Sequence, residues 1–111
     1  DAPILLLAGE GAPNHLADLL KVINSDEELA KHVRAAVFIS GRRWNLIFDN
    51  PAQGVVVKLP EKKFAEAYKK IALLNKRRGI FKRKLTSFDL RYEGRIIVDI
   101  DKSVEDLMFK R

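Results

Sequence analysis

Residues 42–59 read Arg-Arg-Trp-Asn-Leu-Ile-Phe-Asp-Asn-Pro-Ala-Gln-Gly-Val-Val-Val-Lys-Leu, and this stretch decides the fold. Trp44, Leu46 and Phe48 stand two residues apart. On a strand they share one face, while Arg43, Asn45 and Asp49 take the other, the alternation of a half-buried strand. Val55, Val57 and Leu59 repeat the pattern after Asn50, a Pro51-Ala52-Gln53 interruption and Gly54. Asn, Pro and Gly each bend a chain for a separate steric reason, so the stretch is expected to be a β-hairpin. None of its residues is a catalytic candidate.

Upstream, Val33 to Ser40 is rich in β-branched and small residues, and Gly41-Arg42 turns it into the Trp44 strand, which predicts neighbouring, paired strands. Before it, Ile4 to Leu7 is a short apolar run ending at Ala8-Gly9-Glu10-Gly11, a brief strand leading into a turn. Pro13 suits the first turn of a helix, where its missing N–H breaks no hydrogen bond. Leu16, Leu19, Leu20 and Ile23 follow at i, i+3, i+4 and i+7 and give that helix an apolar face. Asn24 stops it, and Ser25 with Glu28 reads as a capping box for a second short helix through about Lys31.

Downstream, Pro60 and Glu61 open the longest helix, with Phe64, Tyr68, Ile71 and Leu74 or Asn75 along one stripe and Lys62, Lys63, Lys69 and Lys70 off it. Gly79 ends it as a left-handed cap behind Lys76, Arg77 and Arg78, whose charge the helix dipole favours there. Leu85 to Tyr92 is the next expected strand, Phe88, Leu90 and Tyr92 on one face and Ser87, Asp89 and Arg91 on the other. Glu93-Gly94 then makes a two-residue turn, and Arg95 to Ile100 returns antiparallel. The order of elements predicts an α+β domain over residues 1–101, an antiparallel β-sheet with helices packed on one face. Residues 102–111 form a charged tail, in which Ser103 and Asp106 offer a capping box ahead of Leu107, Met108 and Phe109.

At 111 residues the chain is long enough for one domain with one core. It has no cysteine, which excludes disulfides and thiol chemistry, and no apolar run approaches the roughly 18–20 residues of a membrane-spanning helix. It opens on Asp1 rather than methionine, without a signal-peptide pattern, and is expected to be a piece of a longer protein. The formal net charge of +6 is unevenly placed: Glu61 to Lys84 holds ten Lys or Arg against two Glu, and the remainder eleven basic against thirteen acidic residues.

Few residues invite chemistry. Gly9-Glu10-Gly11 before a helix resembles a phosphate loop only superficially, since a dinucleotide fingerprint needs a third glycine and a parallel βαβ unit. An ordinary turn is the stronger expectation. His15 and His32 have no His or carboxylate at ligand spacing, so no zinc motif arises. Ser25, Ser40, Ser87 and Ser103 lie in no nucleophile elbow. Asp89 and Arg91, two apart on one strand face, are expected as an exposed ion pair rather than a catalytic pair. No cofactor and no enzymatic activity are expected.

Two binding features remain. Lys76, Arg77, Arg78, Lys82, Arg83 and Lys84 lie within nine residues and would neutralise phosphates or meet anionic headgroups. Against nucleic acid, Phe81 is the only aromatic among them, so a solvated helix end is favoured. The terminal strand, Arg95 to Ile100, leaves an outer row of N–H and C=O groups to which a partner strand would add, unless the tail or another strand covers it.

Two stretches together resemble one family. Arg43-Trp44-Asn45-Leu46 running to Asp49-Asn50, Gly54 and Val55 to Leu59, then Phe88-Asp89-Leu90-Arg91-Tyr92 with Gly94, are similar to the β domain of bacterial cell-division proteins of the FtsQ (DivIB) family. Pro3 to Leu7 followed by Gly9-Glu10-Gly11-Ala12, and the Arg42-Arg43-Trp44 form of alphaproteobacterial members, extend the similarity over residues 3–100. The resemblance implies a non-enzymatic divisome scaffold at the septum, on the periplasmic side of the inner membrane. Its parent would be anchored by a single transmembrane helix and carry a POTRA domain before Asp1, and it would bind FtsB and FtsL. In the family the partner adds as a strand near the C-terminal strand, which carries over onto Tyr92, Gly94, Arg95, Ile96, Ile97, Val98, Asp99 and Ile100. Nucleic-acid or anionic-surface binding through Lys76 to Lys84 is the alternative. Two departures stand out: Pro51-Ala52-Gln53 separates Asn50 from Gly54, where members commonly have Asn directly before Gly, and Asp99 and Ile100 occupy the place of a late aromatic.

Overall fold

The structure, a computed structural model, describes residues 5–50, 54–82 and 85–100. The Pro51-Ala52-Gln53 interruption, the end of the basic segment at Arg83 and Lys84, and the tail with Ser103 and Asp106 lie outside the described residues. Along the chain come β1 (Leu6–Ala8), α1 (Ala12–Ile23), α2 (Glu27–Ala30), β2 (Val33–Ile39), β3 (Arg43–Phe48) and β4 (Val55–Lys58). They are followed by α3 (Phe64–Arg78), a 3₁₀ turn (Ile80–Lys82), β5 (Leu85–Asp89) and β6 (Ile97–Ile100).

The fold is α+β, as the order of elements predicts. The six strands lie in one sheet in chain order. The sheet is mixed, not antiparallel throughout as expected: β1–β2 and β4–β5 pair parallel, the other neighbours antiparallel. Each parallel pair is where a helical connection intervenes, α1 and α2 in the first and α3 in the second. A helix carries the chain back to the end where the previous strand began, which a tight turn cannot do.

The hairpin organises the core. Phe48 pairs with Val55 and Leu46 with Val57, while the Leu59 N–H continues the ladder to the Trp44 carbonyl at 2.9 Å. The side chains of Trp44, Leu46, Phe48, Val55, Val57 and Leu59 are all buried. Above them pack Leu19 and Ile23 of α1, Leu29 of α2, and Ala67, Tyr68 and Ile71 of α3. Asn45, Ile47, Val56 and Lys58, on the opposite face, are half-buried, so the helices cover one face only. Tyr68 donates its hydroxyl to the Ile23 carbonyl at 2.9 Å, tying α3 to the end of α1. Burial, and secondarily the charge of Asp26, pushes that hydroxyl's pKa above its ordinary value.

Local details depart from the sequence expectations for identifiable reasons. Leu20 sits on the shoulder of α1 and is exposed, so the stripe facing the core narrows to buried Leu19 and Ile23 with half-buried Leu16. The cap of α2 is Asp26, whose carboxylate accepts the Leu29 N–H at 2.8 Å, while Ser25 donates backward to the Val22 carbonyl. Helix α3 begins at Phe64 rather than Pro60, because Leu59 is still bonded into the sheet and the chain needs further residues to reach the helix axis. The left-handed cap at Gly79 forms as expected, its N–H reaching the Asn75 carbonyl at 2.8 Å. Gly9 has φ of 105°, and a Cβ there would meet the Phe38 carbonyl oxygen at 2.2 Å. Close backbone approach to β2, not phosphate binding, therefore explains this glycine.

The one-sided core is tested by paired truncations on β3. Phe48→Ala is expected to cost about 3–5 kcal/mol in urea unfolding, and Ile47→Ala, on the half-buried face, distinctly less. Equal losses would contradict the one-sided core.

Candidate functional site

The candidate site is the edge formed by β6 and the loop before it. On one side β6 pairs with β5, Ile97 opposite Asp89, Val98 opposite Phe88 and Asp99 opposite Ser87. On the other, among the described residues, no strand is paired with it. A strand paired on one side points alternate N–H and C=O groups outward. Ile97 and Val98 are each 42% exposed, and Asp99 is exposed. Asp99 is held by its own sheet: its carboxylate accepts from the Ser87 hydroxyl at 2.8 Å and its carbonyl from Thr86 at 3.2 Å.

The hairpin leading to this edge is wider than its sequence suggests. Pairing begins at Asp89 and Ile97, so residues 90–96 form a loop rather than a two-residue turn. Within it the Arg95 N–H reaches the Tyr92 carbonyl at 3.3 Å, closing a turn over Glu93 and Gly94, with Gly94 at φ 78°. Strand β5 stops at Asp89 because the next N–H, of Leu90, bonds sideways to the Lys58 carbonyl at 2.9 Å. The chain leaves the strand there, and the expected common face of Phe88, Leu90 and Tyr92 breaks: the first two are buried and Tyr92 is 49% exposed.

Asp89 holds this departure in place. Its Oδ1 accepts from the Arg91 backbone N–H at 3.0 Å and from Arg91 Nε at 2.9 Å, and its Oδ2 from Arg91 Nη2 at 2.7 Å. Sequence spacing suggested an exposed pair, but the Asp89 residue is only 7% exposed. The Arg91 hydrogen bonds hold its carboxyl below the ordinary carboxylate range, outweighing the opposing effect of burial. The Arg91 guanidinium lies 5.5 Å from the Tyr92 ring centre and that of Arg95 lies 6.0 Å from it, so both cations bear on one exposed aromatic. Nearby, burial and then the Arg91 charge lower the pKa of Arg43. A cleft of about 390 Å³ separates the loop from the start of α3, lined by Glu61, Lys63, Lys70, Leu90, Tyr92 and Ile96 among others.

The eight expected residues fall on the loop and the strand of this edge. Tyr92, Gly94 and Arg95 lie in the loop, Ile96 packs half-buried against the core, and Ile97, Val98, Asp99 and Ile100 form the strand. Sequence reasoning missed Asp89 and Arg91 as the clamp of the loop. Their i, i+2 spacing signalled an ion pair, but not its burial.

The other candidates resolve as structural features. His32 Nδ1 lies 2.7 Å from Asp49 Oδ1, joining the start of β2 to the end of β3, and the His15 ring lies 4.6 Å from that of Phe38, tilted by 30°. Among the described residues, no three His, Asp or Glu side chains gather as a metal set. In the basic segment, Phe81 stacks on Phe48 at 4.5 Å and is half-buried, so it is not presented for base stacking.

The Asp89 clamp has a pH signature. Because its folded pKa is depressed below about 3.9, the pair's stabilisation is fully present above the unfolded value and disappears as pH falls through the folded one. The difference in Tm between wild type and Asp89→Asn is therefore expected to be largest near neutrality and to shrink below about pH 4. A difference unchanged from neutral to strongly acidic pH would show that ionic pairing is not its source.

A family model described as Cell division protein FtsQ/DivIB, C-terminal, matches residues 1–91, ending just before Tyr92. The chain is similar to Cell division protein FtsQ of Rhizobium radiobacter, 31% identical over 105 residues, covering 95% of this chain and 49% of the relative. It is likewise 31% identical over 105 residues to Cell division protein FtsQ of Agrobacterium fabrum (strain C58), covering 95% of this chain and 32% of that protein. With Cell division protein FtsQ of Rhizobium meliloti (strain 1021) it shares 34% identity over 99 residues, 89% of this chain and 31% of the relative. The chain thus spans half or less of the length of these relatives.

Proposed function

Because this chain belongs to the C-terminal domain family of the cell-division proteins FtsQ/DivIB, we propose that it is a non-enzymatic scaffold domain that binds FtsB and FtsL by strand addition at β6. The single observation that carries the proposal is the edge itself: β6 is paired on one side and exposes Ile97 and Val98 on the sheet's last strand. Backbone hydrogen bonds along the outer row supply affinity, and alternate side chains of the added strand supply selectivity. Tyr92, Gly94, Arg95 and Ile96 present the entrance to that edge, with Ile97, Val98, Asp99 and Ile100 as the pairing strand. The Asp89–Arg91 clamp supports this use, because a loop fixed before the partner arrives has less conformational entropy to lose.

Residues 1–101 act in this proposal as the binding domain and residues 102–111 as its tail. The domain works on the periplasmic side of the inner membrane. Among the described residues no helix is long and apolar enough to cross a membrane, and in this proposal the membrane anchor is supplied by the parent protein outside this chain.

Titration of the chain against the periplasmic parts of FtsB and FtsL tests the proposal. Consecutive residues of a strand alternate their N–H groups between its two sides, so one of Ile97→Pro and Val98→Pro removes an outward donor. Wild type is expected to bind, and at least one proline variant that keeps the wild-type circular dichroism spectrum to lose binding. Absence of wild-type binding at low and moderate salt, or full binding by both folded variants, would overturn it.

A further inference from the structure

Helix α3 has an outer face with a composition its packing does not explain. Its inner face, Ala67, Tyr68 and Ile71, is buried in the core. At about 100° per residue, Leu73 lies roughly opposite that face. It is 46% exposed. Lys69 and Arg77 flank it about 40° to either side, and Lys70 and Lys76 about 60°. All four are exposed, and among the described residues none forms an ion pair with a carboxylate. They are the i−4, i−3, i+3 and i+4 neighbours of Leu73, the positions that surround a residue on a helix surface. Glu66, nearly two turns toward the N-terminus, is the acid on this stripe.

We propose that this face, Leu73 ringed by Lys69, Lys70, Lys76 and Arg77, docks on an anionic phospholipid bilayer. Four cations on a patch about 12 Å long give charge complementarity to a layer of phosphate headgroups, each contributing to attraction near such a surface. Long lysine and arginine stems lie along the boundary with their charges in the headgroup layer, while Leu73 enters the acyl boundary between them. Nucleic acid fits less well, because the face offers no aromatic for base stacking and places an aliphatic side chain at its centre. Leu73 points away from the sheet, while Lys70, at the rim of the face, also lines the cleft beside Tyr92 and Ile96; the bilayer would lie against the outside of α3, with the outer row of β6 still open. The inference stands independently of the strand-addition proposal.

Vesicle flotation tests it, using the 111-residue chain with vesicles of phosphatidylcholine alone and of phosphatidylcholine mixed with phosphatidylglycerol. Retention is expected on the mixed vesicles only. Lys69→Glu with Lys76→Glu should lower partitioning about tenfold or more, and Lys70→Glu with Arg77→Glu serves as a second pair should the first fail to fold. Leu73→Ser, which leaves the charge unchanged, should lower it several-fold, whereas Ile97→Pro should leave it unaltered. A parallel titration with single-stranded DNA separates lipid from soluble polyanion. No retention on the anionic vesicles at low salt overturns the inference. So does retention indifferent to Leu73→Ser together with equal affinity for DNA.

Discussion

Burial of one side of the β3–β4 hairpin beneath α1 and α3 is the constraint on which the rest of the molecule depends. Side chains alternate between faces with a period of two, so a slip of one residue would turn Trp44, Leu46 and Phe48 toward solvent and Arg43, Asn45 and Ile47 into the core. That penalty sets the register with β4 and, through it, the position of everything paired beyond. The turn obeys the same demand: a Cβ on Gly54 would lie 1.8 Å from the Phe48 carbonyl oxygen, so only glycine allows the chain to come back closely enough.

The edge at β6 follows from how the sheet grows. Helix α3 carries the chain over the buried face and returns it parallel to β4, which leaves β5 as the platform for one more strand. That strand arrives after a loop, with the Leu90 N–H committed to β4 and the Asp89 carboxylate committed to Arg91. Polar groups that would otherwise be stranded at the end of β5 are thereby satisfied, and the loop is held by side-chain hydrogen bonds in place of ladder bonds. Unpaired edges invite unwanted strand pairing, and a charged residue such as Asp99 on a short strand is a usual protection. The edge is thus guarded but still accessible, as a selective docking strand needs to be.

Helix α3 divides its work between its two sides. Its inner residues close the core and, through the Tyr68 hydroxyl, fix the end of α1. Its outer residues do not contribute to the core, so the concentration of positive charge there has no cost in buried charge. The cations of the last turn are favoured by the helix dipole, and Phe81 immediately beyond is drawn inward against Phe48. Residues 76–81, which look continuous in sequence, are therefore two things in space, the cationic end of a helix and an aromatic plug of the core.

Much of this was legible in the residues themselves. The alternation around Trp44, the helical stripe of Phe64, Tyr68 and Ile71, the Gly79 cap and the resemblance of Phe88 to Gly94 to one family are local patterns, and local periodicity is imposed by backbone geometry that every strand and helix shares. What only the tertiary structure decided was which strands pair parallel, that Asp89 is buried rather than exposed, that the final hairpin opens into a loop, and that Leu73 faces away from the core amid four cations. These depend on which distant groups compete for the same hydrogen bonds and the same space. Leu90 bonds to Lys58 because β4 lies beside it, and no spacing of residues along the chain encodes that neighbour.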